Sequence, residues 1–120
     1  MEERNRSVNT RELLDAYRTL LPQVDSLPLR ISGSSMAPFL VHQRDTVHLC
    51  QLRRPPKVGD IVLYQRDSGA YVLHRVCKVR GTLCDLIGDA QQTVETGVRR
   101  DQIFARGKQQ NTFFNGKTLL

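Results

Sequence analysis

Three short segments of this 120-residue chain hold residue types that do chemistry. The first is Ser32-Gly33-Ser34-Ser35-Met36-Ala37-Pro38, set between a short apolar run from Leu27 to Ile31 and a second that opens at Phe39. Small residues and a proline between strand-like segments make a tight turn. Such a turn can hold a hydroxyl in the open, and Ser35 is the candidate nucleophile because the turn closes on Met36 and Pro38 just after it. A serine hydroxyl is a weak nucleophile until an adjacent base takes its proton. The second segment, Val72-Leu73-His74-Arg75-Val76, supplies an imidazole, and the third, Leu86-Ile87-Gly88-Asp89, a carboxylate. A nucleophile, a base and a group that orients the base are the parts of an acyl-transfer site.

Each part also has an ordinary structural reading. A serine-rich turn is usually only a turn. A histidine among apolar strand residues is more often a satisfied core or interface histidine, and an aspartate after glycine is more often a turn residue. The chemistry rests on the three occurring together. On the strand-like run Ala70 to Val79, alternation puts Val72, His74, Val76 and Lys78 on one face. A partly buried neutral imidazole there is a usable base near neutral pH. If the next strand pairs with this one as a hairpin, Asp89 comes near His74 and favours its charged form. Asp85 lies inside a strand and should point away from one of its neighbours' faces, so Asp89 is preferred, although the sequence does not settle which of the two supports the base. His42, in a polar segment, and His48, too close in sequence to fold back on Ser35, rank below His74 as bases. No histidine has zinc-type spacing with a cysteine or an acid, so neither a metal nor a cofactor is expected.

Those residues must be positioned by the rest of the chain. Residues 1–8 are polar and read as a frayed tail. Asn9 can cap a helix with Glu12 returning the bond, and Leu13, Leu14, Tyr17, Leu20 and Leu21 follow at helical spacing until Pro22 ends it. This amphipathic helix is read as packed on the domain. From Leu27 the pattern is of short strands: Leu27–Ile31, Asp45–Cys50, Ile61–Gln65, Ala70–Val79 as the central strand, Thr82–Ile87 and Gln102–Arg106. Arg53-Arg54-Pro55-Pro56 is a loop, Asp67-Ser68-Gly69 a hairpin connection, residues 90–100 a polar loop, and Thr112 to Leu120 an edge hairpin or a tail. The expected fold is mainly β, a compact domain over 27–120 preceded by the tail and helix over 1–26.

Composition narrows the partners. Lysine and arginine total 18 against 12 acidic residues, a net charge of +6. The basic residues are spread evenly among acidic ones, with no aromatic residues interleaved, so a nucleic-acid partner is not expected. One amphipathic helix is also too little for a helix-turn-helix reader of DNA. The three cysteines, Cys50, Cys77 and Cys84, read as free, mostly buried thiols of a reducing cytosol. No apolar run approaches ~18 residues, so no membrane span is expected, and the N-terminus has no signal-peptide core.

The motifs, taken in order, resemble a known superfamily. Ser32-Gly33-Ser34-Ser35-Met36-Ala37-Pro38 resembles the serine box of type I signal peptidases and of LexA/UmuD-like self-cleaving proteins. Lys57-Val58-Gly59-Asp60-Ile61-Val62 looks like the next box of that superfamily. His74-Arg75-Val76 and Ile87-Gly88-Asp89 are similar to the histidine and glycine-aspartate boxes of the archaeal and endoplasmic-reticulum branch, where histidine replaces a lysine base. The resemblance runs from Leu29 to about Arg106. It implies a coiled β-sheet or partly open barrel of the signal-peptidase/LexA type that binds an extended peptide as an added edge strand. It further implies Ser35 as nucleophile, His74 as general base and Asp89 as supporting carboxylate. Gly33, Ser34 and Met36 would line substrate and oxyanion, and the backbone N–H of Ser35 would help hold the oxyanion.

Three departures shape the expectation. Gly33 stands where signal peptidases usually have a serine that helps hold the oxyanion. The membrane anchor of those enzymes has no counterpart in the sequence. The Ala-Gly or Cys-Gly bond cut by the self-cleaving relatives does not occur. The expectation is therefore a soluble, cytoplasmic serine endopeptidase acting in trans on an extended peptide segment, a leader among the possible substrates. The alternative is a catalytically silent module of the same fold that holds a peptide or protein partner. An α/β-hydrolase is excluded by the short chain, the missing helices and the order Ser, His, Asp.

Overall fold

The computed structural model describes residues 2–30 and 46–110, with side chains from 11 to 30 and from 46 to 108. At its centre is a strand of consecutive apolar residues, Ile61-Val62-Leu63-Tyr64, all four buried. A strand buried on both faces must have something packed on each, and the remaining elements supply two layers.

In chain order the elements are α1 (Glu2–Leu20), β1 (Leu27–Arg30), β2 (Thr46–Gln51), β3 (Ile61–Gln65), β4 (Tyr71–Arg80), β5 (Leu83–Ile87), β6 (Glu95–Arg99) and β7 (Ile103–Gln110). All seven strands join one antiparallel sheet in the order β1-β2-β7-β3-β4-β5-β6. Among the described residues β1 and β6 are its two ends, and the sheet does not close into a barrel. Among the described residues the fold is thus mainly β with one α-helix, as the strand pattern predicts. No helix among the described residues is long and apolar enough to cross a membrane.

The two faces of β3 belong to two cores. Ile61 and Leu63 join Val47 and Leu49 of β2 and Ala105 of β7 beneath α1, which contributes Leu14, with Leu21 following it. Val62 and Tyr64 face the other way, with Val76 of β4, Cys84 and Leu86 of β5, Val98 of β6 and Ile103 of β7. The helix is anchored by more than apolar contact. Tyr17 donates to the carbonyl of Pro28 at 2.7 Å, Arg18 donates to Gln65 at 2.7 Å and stacks over Phe104, and Tyr71 donates to Asp15. It therefore packs on the sheet, as its apolar spacing implies. Burying Leu14 and Leu21 contributes roughly 1.5–3 kcal/mol apiece.

Four sequence readings need correction. The helix begins at Glu2, not after a cap at Asn9. Residues 2–8 contain no glycine or proline to break it. Second, β3, not β4, is the central strand of the sheet; β4 is the longest, but its last four residues, from Cys77 to Arg80, are exposed. Third, the stretch 90–100 is no plain loop, because it contains β6. Fourth, the alternation of β4 holds through Val72, His74 and Val76 but breaks at Cys77. Val76 pairs with Leu86 and Lys78 with Asp85, so Cys77 is the extra residue of a bulge. That bulge leaves Cys77 exposed, whereas Cys84 is buried and Cys50 half-buried.

A second bulge builds β6. Cys84 pairs with Val98 and Leu86 with Glu95, so Thr96 and Gly97 together face Asp85. Gly97 has a φ of +71°, a conformation that costs a residue with a Cβ. Its N–H is held by Asp85 Oδ1 at 3.0 Å, and the same oxygen accepts from Arg80 Nη2 at 2.7 Å. A third irregularity, between β3 and β7, puts Phe104 between Ala105 (opposite Leu63) and Ile103 (opposite Tyr64). Ile103 thereby reaches one core while Phe104 and Ala105 reach the other.

Candidate functional site

Of the residues singled out from sequence, Ser35 and its neighbours Gly33, Ser34 and Met36 lie outside the described residues, as does His42. The framing strands are described: β1 and β2 pair antiparallel down to Arg30 opposite Thr46, the two residues that flank segment 31–45. His74, Asp89 and Asp85 are all described, and so is His48, half-buried in β2 between Pro28 and Lys108.

His74 is 6% exposed. It pairs with Val62 across β3 and lies on the β4 face away from α1, between Val72 and Val76. Its Nδ1 is 3.4 Å from the hydroxyl oxygen of Tyr64, and the two rings tilt at 59° with centroids 6.2 Å apart. The Tyr64 hydroxyl in turn donates to Glu95 Oε1 at 2.7 Å. Arg66 grips the same carboxylate, with Nη2 at 2.9 Å and Nε at 3.1 Å from Oε1. The elements make this possible. Tyr64 and Val62 are alternate residues of β3 and so share a face. The β6 bulge starts the strand at Glu95, opposite Leu86 and within reach of Tyr64.

Asp89 stands just past the end of β5 and is held by Arg75. Nε reaches Oδ1 at 2.8 Å and Nη2 reaches Oδ2 at 2.8 Å, a bidentate pair that fixes the carboxylate in orientation as well as position. Arg75 also donates from Nη1 to the carbonyl of Gly59 at 2.9 Å. Gly59, with φ at +98°, sits in a turn tied to β4 by its own N–H on the carbonyl of Val76 and by the N–H of Val76 on the carbonyl of Asp60. Asp60 accepts a bidentate pair from Arg54 at 2.9 and 3.0 Å and the N–H of Lys57 at 2.8 Å. One arginine side chain thus connects the Gly59-Asp60 turn to the Gly88-Asp89 turn. Asp85 is engaged with Arg80 and the Gly97 N–H, and its role is to hold the β6 bulge.

The electrostatics around His74 favour the neutral ring. Burial pushes its pKa below the ordinary 6.5, and the Arg66 guanidinium acts in the same direction. The carboxylates of Glu95 and Asp89 oppose them, Glu95 more strongly, without reversing the shift. Burial likewise raises the Tyr64 phenol well above its ordinary range, with the Glu95 carboxylate adding to it. Partial burial tends to raise Glu95, but hydrogen bonds from Arg66 and Tyr64 outweigh that and hold it below its ordinary value. At neutral pH this gives a neutral imidazole, a neutral phenol and an ionised carboxylate in one connected chain. No group of three or more His, Cys, Asp or Glu side chains is placed to hold a metal ion among the described residues.

Tyr64, Glu95 and Arg66 escape the sequence reading. Tyr64 carries the available signal, since a tyrosine inside a buried run needs a partner for its hydroxyl. Glu95 carries none, because it stands in a polar stretch with a glycine two residues on. Compared with known proteins, the chain matches no family model, no curated protein and no solved structure.

Proposed function

We propose that this chain is a serine endopeptidase of the signal-peptidase/LexA kind, cutting an extended peptide segment with Ser35 as nucleophile, His74 as general base and Asp89 as supporting carboxylate. The observation that supports it most is His74 itself, a buried imidazole kept neutral in mid-strand with a phenol on Nδ1. In this reading His74 takes the Ser35 hydroxyl proton as Oγ attacks the peptide carbonyl. The imidazolium returns that proton to the departing amine when the C–N bond breaks. Water, deprotonated by the same ring, then attacks the acyl carbonyl, and the imidazolium returns the proton to Ser35 Oγ as the ester bond breaks. The seven-strand sheet is, in this reading, the coiled β fold of that superfamily, and a terminal strand such as β1 receives the peptide by strand addition. Three unpaired cysteines fit a reducing compartment such as the cytoplasm.

A second reading, a module that holds a peptide without cutting it, is favoured by one observation. Asp89 is clamped in a bidentate pair with Arg75, which suits a structural carboxylate as well as a catalytic one. Ser35→Ala separates the two readings. For a peptidase, the variant keeps peptide binding and loses at least about 10⁴-fold in cleavage rate. For a binding module, wild type and variant bind alike and neither produces new peptide termini.

A further inference from the structure

A phenol has one hydrogen to give. The Tyr64 hydrogen goes to Glu95, whose oxygen lies at 2.7 Å and is charged, making the stronger of the two contacts. Turning that hydrogen toward His74 would leave an ionised carboxylate oxygen facing a phenol oxygen with nothing between them. The 3.4 Å contact between the Tyr64 oxygen and His74 Nδ1 is therefore one in which the ring N–H donates. With the hydrogen on Nδ1 of a neutral ring, the lone pair is on Nε2. Arg66 makes the direction of the chain hard to reverse, because its hydrogen bonds keep Glu95 ionised and oriented.

We infer that Tyr64 and Glu95 are positioning residues for His74: a carboxylate–phenol–imidazole chain selects the Nδ1–H tautomer and leaves Nε2 as the basic nitrogen. Neither residue belongs to the serine, histidine or aspartate boxes. The inference rests on the peptidase reading for its purpose, whereas the tautomer follows from the geometry alone. In a Ser-His site a carboxylate usually meets the imidazole directly; here a phenol stands between Glu95 and Nδ1, and Asp89 supports the ring through its charge. Among the described residues, the charged and titratable groups acting on His74 are Arg66, past the end of β3, Glu95 on β6 and Asp89 after β5, with Tyr64 facing it from β3. The outer position of Glu95 lets it favour the imidazolium without fixing a full ion pair on it.

The test is a two-dimensional ¹H–¹⁵N correlation through the imidazole two-bond couplings, recorded on histidine-labelled protein at a pH where His74 is neutral. His42→Gln and His48→Gln variants assign the signals. The expected wild-type result is a pyrrole-type Nδ1 and a pyridine-type Nε2 for His74. Tyr64→Phe removes the acceptor, and the ring then shifts toward Nε2–H or a mixture. Glu95→Gln lets the amide donate to the Tyr64 oxygen and frees the phenol hydrogen for Nδ1, so it moves the ring the same way. Glu95→Gln is decisive if Tyr64→Phe fails to fold. A pyridine-type Nδ1 in wild type, or an unchanged tautomer in the folded variants, overturns the inference. Its failure is distinct from that of the peptidase reading. Tautomer control without serine-dependent cleavage leaves the chain standing and removes the peptidase; cleavage with an Nε2–H ring does the opposite.

Discussion

His74 is where burial and the Arg66 charge act in one direction. Removing the ring from water disfavours the imidazolium, the Arg66 guanidinium disfavours it further, and two carboxylates recover only part of the loss. A general base works in its unprotonated form, so its pKa sets the acid limb of the rate profile. For the proposed peptidase the kcat/KM profile therefore falls off on the acid side at a pH below the ordinary 6.5. Glu95→Gln removes the larger of the two opposing carboxylate fields and moves that limb lower still; Arg66→Gln moves it up. Profiles of the three proteins on one cleaved peptide check the order. Equal limbs in all three would mean that these groups do not act on the base. At this scale the sequence is half-legible. His74 stands out because an imidazole between Val72 and Val76 is unusual on an apolar face. Tyr64 and Glu95 meet only after the sheet brings β3 and β6 together, and no spacing along the chain encodes that meeting.

Among the elements, the strands with apolar alternation were legible and the one without it was not. β3 and β4 are marked by continuous or alternating apolar residues, and Asp67-Ser68-Gly69 joins them as its turn chemistry implies. β6 has one buried residue, Val98, and a glycine in the middle. Its pairing comes from the Asp85 carboxylate holding Gly97 N–H and Arg80, a tertiary contact that periodicity cannot register. The bulges behave likewise: one extra residue at Cys77 turns an expected buried face outward. The apolar face expected of the helix holds in part, with Leu14 and Leu21 buried but Leu13 and Leu20 exposed, and that yields a prediction. Leu21 is 1% exposed in the first core and Leu13 is 42% exposed. Leu21→Ala should cost about 2–5 kcal/mol of stability through lost burial and the cavity it leaves. Leu13→Ala should stay within about 0.5 kcal/mol of wild type. Urea denaturation of both variants measures the difference; similar losses would mean that the helical segment does not pack on the sheet through Leu21.

For the molecule as a whole, the two cores share β3, so the helix layer and the β5–β6 layer are coupled through one buried strand. Proton linkage acts on this unit in two stages. Folded His74 binds its proton more weakly than the unfolded chain does, so stability declines as pH drops below 6.5 and the unfolded state takes up the proton first. Glu95, Asp60 and Asp85 have folded pKa values below their ordinary 4.5 and 3.8. Their contribution is complete above those values and is lost as pH falls through the lower folded ones. Urea midpoints measured from pH 8 to pH 3 should show a first decline that His74→Gln flattens and a second that it leaves in place. An unchanged first decline in His74→Gln would place that proton on another group.

The central claim, a Ser35–His74 peptidase, is tested most directly by a cleavage screen. Wild type, Ser35→Ala and His74→Ala are each incubated with a diverse peptide library, and the new termini are read by mass spectrometry. The account predicts cuts with wild type that are absent with both variants, and the residues flanking those cuts give the side-chain preference. Termini that are the same for all three proteins, or no cuts by wild type on any peptide, would contradict it and leave the peptide-holding module as the better description of this fold.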